Sequence, residues 1–425
     1  MKITDTLYIE RESKIKLLFF CFLMLMMGRG SNWVLEIDPR TNPIGVLLLG
    51  SLLVGVISRG PVYRVRSRFV MRFIGALFVW YVYHLFTDIA SPLYQGIQIL
   101  IKAFLGFVVV RFYGLTFCKY YEKIIVFLTL IGLAFWMVEM AVGAGTLASL
   151  APLDCYMHPG TKSFFVYSLI SYLDSSSSFL GILRNCGFCW EPGLYASMLI
   201  IGITFNIARY KGKRFFRSKN FWILIIGLLT TLSTTGFLCL FVLLLLNSLA
   251  GETNLLKKIF AISLIIVLGI LGASLPFMKD KIERQSDIEN YMINNEAIYA
   301  DNSARLTVER FEGMYLSWIN AINNPMMGYG PNMDNSYTSK YFPMFRISNG
   351  NVNTLAILGF PLGLFFYLLL YKGTKKMIAP TGYKIGSIVF IMFLLFTASY
   401  NFSFEILTFA MCFSLYLKTY EKSTV

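Results

Sequence analysis

The chain has 425 residues, of which 56% are hydrophobic and 14% are charged, and its mean hydropathy is +0.62. A soluble domain of this size needs more polar surface than this composition supplies, so these values exclude a soluble globular protein and indicate a polytopic membrane protein. The formal net charge of +15 suits cytoplasmic loops that face anionic lipid, and in so apolar a chain it does not indicate a nucleic-acid partner.

Apolar runs predict an all-α polytopic membrane protein with about twelve transmembrane helices, in one integral membrane domain that covers residues 1–425. No convincing small-residue cleavage site follows the first run, so we expect it to be retained as a helix rather than removed as a signal peptide. The predicted helices cover residues 15–35, 43–58, 70–87, 93–112, 124–143, 191–208, 221–235, 236–250, 259–277, 351–371, 383–400 and 403–417.

The distribution of lysine and arginine sets the expected orientation. If the N-terminus is cytoplasmic, 26 of the 38 basic residues lie on the cytoplasmic side and 11 on the outer side, with Lys102 inside a helix. This bias follows the positive-inside rule and predicts that both termini are cytoplasmic.

Two long loops then face outward, at residues 144–190 and 278–350. Long loops on a membrane scaffold are usually functional rather than simple linkers. In the second long loop, Asp301-Asn302-Ser303 is a capping signal, and it predicts a helix over residues 301–324.

The first of four motifs is Arg184-Asn185-Cys186-Gly187-Phe188-Cys189-Trp190-Glu191-Pro192-Gly193, which precedes the apolar run at 194–207. Arg184 and Glu191 are both ionisable, and placing such residues at a membrane boundary is costly unless they face water, a partner or a ligand. Pro192 suits the first turn of a helix and Glu191 suits the positive end of the helix dipole, which leaves a purely capping role open for both. Capping does not explain Arg184, whose planar guanidinium suits two-point contact with phosphate oxygens.

The second motif lies in the second long loop. It combines Asn302-Ser303-Ala304-Arg305, then Arg310, then the turn Asn324-Pro325-Met326-Met327-Gly328-Tyr329-Gly330-Pro331. On one helix Arg305 and Arg310 would lie about 140° apart, so we expect only one of them to face a ligand.

The third motif is Ser348-Asn349-Gly350-Asn351-Val352-Asn353, followed by Gly359-Phe360-Pro361-Leu362-Gly363. Neither serine nor asparagine acts as a general base near neutral pH unless another group accepts the proton. A capping role at the start of the following helix is an equal alternative for Ser348 and Asn349.

The fourth motif, Ser233-Thr234-Thr235-Gly236, predicts a tight turn between two helices.

Together these motifs resemble those of the Wzy-type polymerases of lipid-linked oligosaccharides, in the O-antigen polymerase and ligase superfamily. The resemblance covers residues 184–365, and its most specific part is the pattern R-x-x-G-F-x-W-E-P-G-x-Y-A. The second motif offers two candidates for the family arginine. The residues that precede Arg305 resemble those before the family arginine, whereas Arg310 has the more similar distance to Pro325. Many members carry His-Asn where this chain has Ser348-Asn349, so the resemblance does not assign the general base.

The resemblance implies a GT-C-like membrane glycosyltransferase at the periplasmic face of the bacterial inner membrane. It implies polymerisation of oligosaccharide repeat units carried on undecaprenyl diphosphate, which would yield O-antigen or a related surface polysaccharide. The implied partners are this lipid-linked oligosaccharide, membrane lipid and a chain-length regulator protein.

The resemblance implies a diphosphate-binding role for the arginines, and the residues themselves suggest candidates for the base. Arg184, together with Arg305 or Arg310, would bind the diphosphate. Glu191 is the leading choice for the base that accepts the proton of the acceptor hydroxyl. Asn349 would orient that hydroxyl, and His158 is a more distant choice of base.

Three alternative functions remain open. One is an O-antigen ligase, which transfers a finished glycan to the lipid A core, and the absence of His-Asn in the third motif argues modestly against it. Another is a flippase or other transporter of lipid-linked oligosaccharides, against which the long loop at 278–350 and its arginines argue. The last is a non-catalytic scaffold of a polysaccharide assembly complex.

We expect neither a metal nor another cofactor. The chain has only two histidines, and its single Cys-x-x-Cys pair, Cys186 and Cys189, has no second such pair beside it. Cys155 falls in the same long loop, so at most one disulfide is expected among the three. For Glu139 and Glu405, near helix ends, contact with lipid headgroups and a place in a ligand cavity are both open.

Overall fold

Most of the residues that the computed structural model describes are helical. The described residues are 14–29, 63, 65–87, 93–155, 161–169, 178–179, 182–212, 214–251, 259, 262–263, 266–267, 306–307, 310–341, 345–346, 350–398 and 400–418. The α-helices are α1 (Lys14–Gly28), α2 (Ser67–Thr87), α3 (Leu93–Tyr113), α4 (Phe117–Val142), α5 (Ala144–Leu150), α6 (Pro192–Arg209), α7 (Lys219–Thr230), α8 (Thr234–Gly251), α9 (Arg310–Asn323), α10 (Tyr337–Tyr341), α11 (Asn351–Ile378), α12 (Ile388–Thr397) and α13 (Ile406–Phe413). The short strands are β1 (Leu153–Asp154), β2 (Lys162–Ser163), β3 (Ser178–Phe179), β4 (Ile182–Leu183), β5 (Leu306–Thr307) and β6 (Phe345–Arg346).

Three helical segments of the described chain are long and apolar enough to cross a membrane. They are Ser67–Thr87, Gln95–Val142 and Asn351–Thr381, of which the second joins α3 to α4 through a short 3₁₀ turn. Shorter apolar helices accompany them at Lys219–Thr230, Thr234–Leu249, Ile388–Thr397 and Ile406–Tyr416. The described chain is therefore a mainly helical assembly with the character of a membrane protein.

Several predicted helices match the structure and others are shorter. The predicted helices at 70–87, 93–112 and 236–250 correspond to α2, α3 and α8, whereas α12 and α13 are shorter than the predicted 383–400 and 403–417. Between α12 and α13 the Asn401 side chain accepts a hydrogen bond from the Ser403 amide at 3.1 Å, a local turn that competes with helix. The predicted helix at 43–58 and most of that at 259–277 lie outside the described residues.

The turn between α7 and α8 lies earlier than the fourth motif predicts. The Thr231 hydroxyl donates to the Leu228 carbonyl at 2.7 Å, and Leu232 adopts a left-handed φ of 47°, which ends α7. Ser233 then caps α8, because its hydroxyl accepts from the Gly236 amide at 3.3 Å. Residues 234–236 thus form the first turn of α8 rather than the loop before it.

The second long loop also differs from the prediction. Leu306–Thr307 forms β5, paired in parallel with β6, and the helix begins only at Arg310. The prediction of one helix over 301–324 is therefore wrong, because Leu306 and Thr307 form a strand. Asp301-Asn302-Ser303 and Arg305 lie outside the described residues.

Helix α6 lies at the centre of the packing, because every residue from Pro192 to Ala208 is buried. It contacts α4, α7, α8 and α12. Its far end is fixed by Glu122 of α4, whose carboxylate accepts from Asn206 at 2.7 Å and from Arg209 at 2.8 Å. Glu191 is the N-cap residue at the opposite end of this buried helix.

Candidate functional site

The first motif contacts the end of α7, close to the fourth motif. The Asn185 amide donates to the Thr230 carbonyl at 2.9 Å, and the Asn185 side-chain amide donates to the Thr230 hydroxyl at 3.0 Å. Arg184 is half-buried, and its Nε donates to the Thr231 carbonyl at 3.0 Å. Among the residues that the structure describes, the two terminal amino groups of Arg184 have no hydrogen-bond partner, so both are available to an anion.

The first motif turns sharply between its arginine and its glutamate. The Asn185 side-chain oxygen accepts from the Gly187 amide at 2.8 Å, and Gly187 has a left-handed φ of 54°. A Cβ atom at Gly187 would lie 2.7 Å from the ring of Tyr195, so only glycine fits here. The Trp190 amide donates to the Gly28 carbonyl at 2.9 Å, which ties this turn to the end of α1.

Glu191 is the N-cap residue of α6 and Pro192 is the first helical residue, as the sequence predicts. The Glu191 side chain nevertheless accepts no capping hydrogen bond from the first turn of α6. Its Oε1 instead accepts a hydrogen bond from the Tyr400 hydroxyl at 2.5 Å. The carboxylate is therefore held by a residue far away in sequence, and hydrogen-bond capping does not account for it.

The third motif begins beside the same tyrosine. Gly350 is the N-cap residue of α11, and its amide donates to the Thr397 carbonyl at 2.9 Å. A Cβ atom at Gly350 would lie 2.7 Å from the Tyr400 carbonyl oxygen. The alternative role of Ser348 and Asn349 as the cap of this helix stays open, because it depends on side chains that the structure does not describe. These two residues directly precede Gly350 in sequence and lie outside the described residues.

The turn of the second motif packs directly onto α11, where that helix is kinked. Gly359 interrupts α11 with φ 76° and ψ 163°, which frees backbone groups for the turn. The Phe360 amide donates to the Pro325 carbonyl at 2.7 Å, and the Tyr329 amide donates to the Ala356 carbonyl at 2.9 Å. The Tyr329 hydroxyl donates to the Asn353 side chain at 2.7 Å. The second and third motifs therefore form one unit.

Two residues of α2 that the sequence does not single out also hold this turn. Trp80 donates its indole N–H to the Met327 carbonyl at 2.9 Å, and His84 Nε2 lies 3.0 Å from the same oxygen. Both side chains are buried. A donor role requires His84 to carry a proton on Nε2. The only sequence signal for this pair is its spacing of four residues, which places both side chains on one face of α2.

We expect Gly359→Ala to destabilise the protein. A Cβ atom at Gly359 would lie 2.3 Å from the Met326 carbonyl oxygen, and its backbone conformation alone costs about 1–3 kcal/mol for a residue other than glycine. The midpoint of thermal unfolding, measured in detergent, should fall clearly below that of the wild type. Gly75→Ala in α2 is the matched control, because its Cβ meets no atom within 4 Å. Equal midpoints for Gly359→Ala and wild type would contradict the described packing.

The remaining predicted site residues are only partly described. Arg310 is the first residue of α9, which packs against α11, but its side chain is not described. Arg305, Asn349 and His158 lie outside the described residues. The structure therefore places Arg184 on the end of α7, and it links Glu191 to the third motif through Tyr400. It does not decide between Arg305 and Arg310.

Glu405 and Glu139, near helix ends, both contact other side chains of the protein. Glu405 Oε1 lies 2.6 Å from an Arg29 nitrogen and 3.3 Å from Lys102 Nζ. Glu139 is fully buried and accepts a hydrogen bond from the Tyr167 hydroxyl at 2.5 Å. Burial, and next the charge of Glu139, raises the pKa of Tyr167 well above its usual value, so this hydroxyl stays protonated and donates. Contact with lipid headgroups therefore does not describe Glu139.

Metal-ligating side chains do not cluster in the described part of the chain, where no three of histidine, cysteine, aspartate or glutamate lie close enough to hold an ion. Cys155, Cys186 and Cys189 are all buried, and no disulfide joins them in the described part of the chain. A search of known protein families finds no family that matches the chain, and a search of curated proteins finds no match either.

Proposed function

We propose that this protein polymerises oligosaccharide repeat units carried on undecaprenyl diphosphate, by glycosyl transfer at the periplasmic face of the bacterial inner membrane. The observation that carries the proposal is the contact between motifs that are far apart in sequence. The first motif bonds to the end of α7 beside the fourth motif, and Tyr400 bridges from Glu191 to the start of the third motif. The third motif in turn holds the turn of the second motif.

The proposed donor is the growing chain on undecaprenyl diphosphate, and the acceptor is the non-reducing sugar of a newly delivered repeat unit. The acceptor hydroxyl attacks the anomeric carbon of the donor, and the bond from that carbon to the diphosphate oxygen breaks. The lipid diphosphate leaves with the bonding electron pair, and the hydroxyl proton passes to a base. The new glycosidic bond lengthens the polymer by one repeat unit.

The charge that develops on the diphosphate needs prearranged positive groups. Arg184 suits this role, because its Nε is anchored on the Thr231 carbonyl while its terminal amino groups are available to phosphate oxygens. One of Arg305 and Arg310 supplies the second guanidinium in the proposal. Glu191 is the proposed base, and Asn349, one residue before Gly350, is proposed to orient the acceptor hydroxyl.

The proposal includes the finer architecture that the sequence predicts. It takes the protein to have about twelve membrane helices, a GT-C-like arrangement, and both termini in the cytoplasm. Three long apolar segments and four shorter apolar helices support a membrane location. The excess of basic residues in the predicted cytoplasmic segments supports the orientation.

Cysteine labelling tests this orientation. Arg217→Cys and Lys340→Cys each introduce a thiol at an exposed position, the first between α6 and α7 and the second in the second long loop. In cells with a permeabilised outer membrane, an impermeant thiol reagent should label Lys340→Cys and spare Arg217→Cys. The wild type is the background control, since its own cysteines are buried or only half-exposed. Labelling of Arg217→Cys in intact inner membranes would overturn the orientation.

Reconstitution tests the function itself. The purified protein, in lipid vesicles with a radiolabelled repeat unit on polyprenyl diphosphate, should form a ladder of longer lipid-linked glycans and release polyprenyl diphosphate. Movement of the substrate across the bilayer without bond formation would instead indicate a flippase. Transfer only after addition of a lipid A core acceptor would indicate a ligase.

A further inference from the structure

The hydrogen bond between Tyr400 and Glu191 joins residues that lie 209 positions apart in sequence. Tyr400 lies in the connection between α12 and α13 and is buried, with 9% of its surface exposed. Glu191 is only half-buried. The tyrosine is thus the fixed partner of this pair, and the carboxylate is the partner with access to a substrate.

Two glycines make room for Tyr400. A Cβ atom at Gly193 would lie 2.0 Å from the Tyr400 hydroxyl oxygen, and one at Gly350 would lie 2.7 Å from the Tyr400 carbonyl oxygen. The Tyr400 amide also donates to the Phe396 carbonyl at 3.1 Å. The first and third motifs therefore each supply a glycine that Tyr400 needs in order to reach Glu191.

This contact leaves half of the carboxylate available. Oε1 of Glu191 accepts from Tyr400, and in the described part of the chain Oε2 has no hydrogen-bond partner. A hydrogen bond to one carboxylate oxygen fixes the orientation of the second oxygen. That orientation determines whether the second oxygen can accept a proton in a productive geometry.

We propose that Tyr400 is a positioning residue that orients Glu191 for proton transfer from the acceptor hydroxyl. This inference rests on the proposed function. In the step, the acceptor O–H bond breaks and its proton passes to Oε2 of Glu191, while the acceptor oxygen bonds to the anomeric carbon and the diphosphate leaves. Tyr400 stays neutral and keeps its hydrogen bond to Oε1 throughout.

The chain contains a matched control for this pair. Tyr167 donates to Glu139 at the same distance of 2.5 Å, but Glu139 is fully buried and lies at the end of α4 rather than in a motif. Tyr167→Phe therefore removes the same kind of hydrogen bond without touching the proposed base. It should lower the thermal midpoint and leave the turnover number per folded molecule unchanged.

Tyr400→Phe tests the inference in the reconstituted assay. Loss of a hydrogen bond to a charged group should lower kcat about 10- to 100-fold, with KM for the lipid-linked repeat unit nearly unchanged. Glu191→Asp is the second variant, because it keeps a carboxylate but shortens the side chain away from Tyr400. In the Glu191→Asp protein, adding Tyr400→Phe should change kcat by less than about twofold, since the tyrosine acts only through residue 191.

The outcomes separate this inference from the proposed function. If the wild type forms polymer and Tyr400→Phe forms it at the wild-type kcat, the positioning role is wrong and the proposed function stands. An equal loss from Tyr400→Phe in the wild-type and Glu191→Asp backgrounds would also contradict it, because the tyrosine would then act independently. A wild-type protein that forms no glycosidic bond would remove the proposed function itself.

Discussion

Glu191→Gln is expected to yield a protein that inserts normally into the membrane but makes only single-repeat glycan. Glutamine keeps the shape of the side chain, and its carbonyl oxygen can still accept from the Tyr400 hydroxyl. It cannot take a proton, and loss of a general base typically lowers the rate about 10²–10⁴-fold. Loss of the favourable charge at the start of α6 costs only about 0.3–1 kcal/mol, which is too little to prevent folding.

Complementation of a null strain, with the protein quantified by immunoblot, measures this effect. Glu139→Gln is the control, because its carboxylate receives the same contact from Tyr167 but plays no part in the proposed chemistry. The control strain should make long polymer in proportion to the amount of folded protein. Long polymer from normal amounts of Glu191→Gln protein would return Glu191 to a purely structural role.

Arg184→Lys and Arg184→Ala are expected to abolish long polymer while the protein level holds. Lysine keeps the charge but has no planar fork, so it cannot both bond to the Thr231 carbonyl and contact two phosphate oxygens as arginine can. By comparison with other groups that stabilise developing negative charge, a loss of about 10²–10³-fold in kcat is expected. Arg184→Ala should be no milder than Arg184→Lys.

Arg217→Lys is the matched control for Arg184→Lys. Arg217 is exposed in the connection between α6 and α7, so the same chemical change there should leave chain length and rate unaltered. Wild-type chain lengths from a stable Arg184→Ala protein would contradict the assignment of Arg184 to the diphosphate.

Much of the local structure follows from the sequence. Long apolar runs predict α2, α3 and α8, because an apolar run of this length favours a helix of membrane-protein character. Pro192 and Glu191 mark the start of α6 because the first helical turn suits proline and the N-terminal dipole suits an acid. These signals are local, so one sequence suffices to read them.

The features that local signals miss depend on partners elsewhere in the chain. The β5–β6 pairing in the second long loop overrides the predicted helical start, because it requires Phe345–Arg346. The hydrogen bond from Tyr400 to Glu191 and the contact of Trp80 with the Met327 carbonyl also join segments far apart in sequence. No periodicity or spacing encodes such pairs, so only the folded arrangement identifies them.

Deletion of the gene, followed by gel electrophoresis of the host's lipopolysaccharide, tests the proposed polymerisation most directly. Our account predicts that the mutant carries core with a single repeat unit, and that the wild-type gene restores the ladder of longer chains. Bare core would indicate a ligase, and absence of any surface repeat would indicate a flippase. Either of these results, or an unchanged ladder in the deletion strain, would contradict the account.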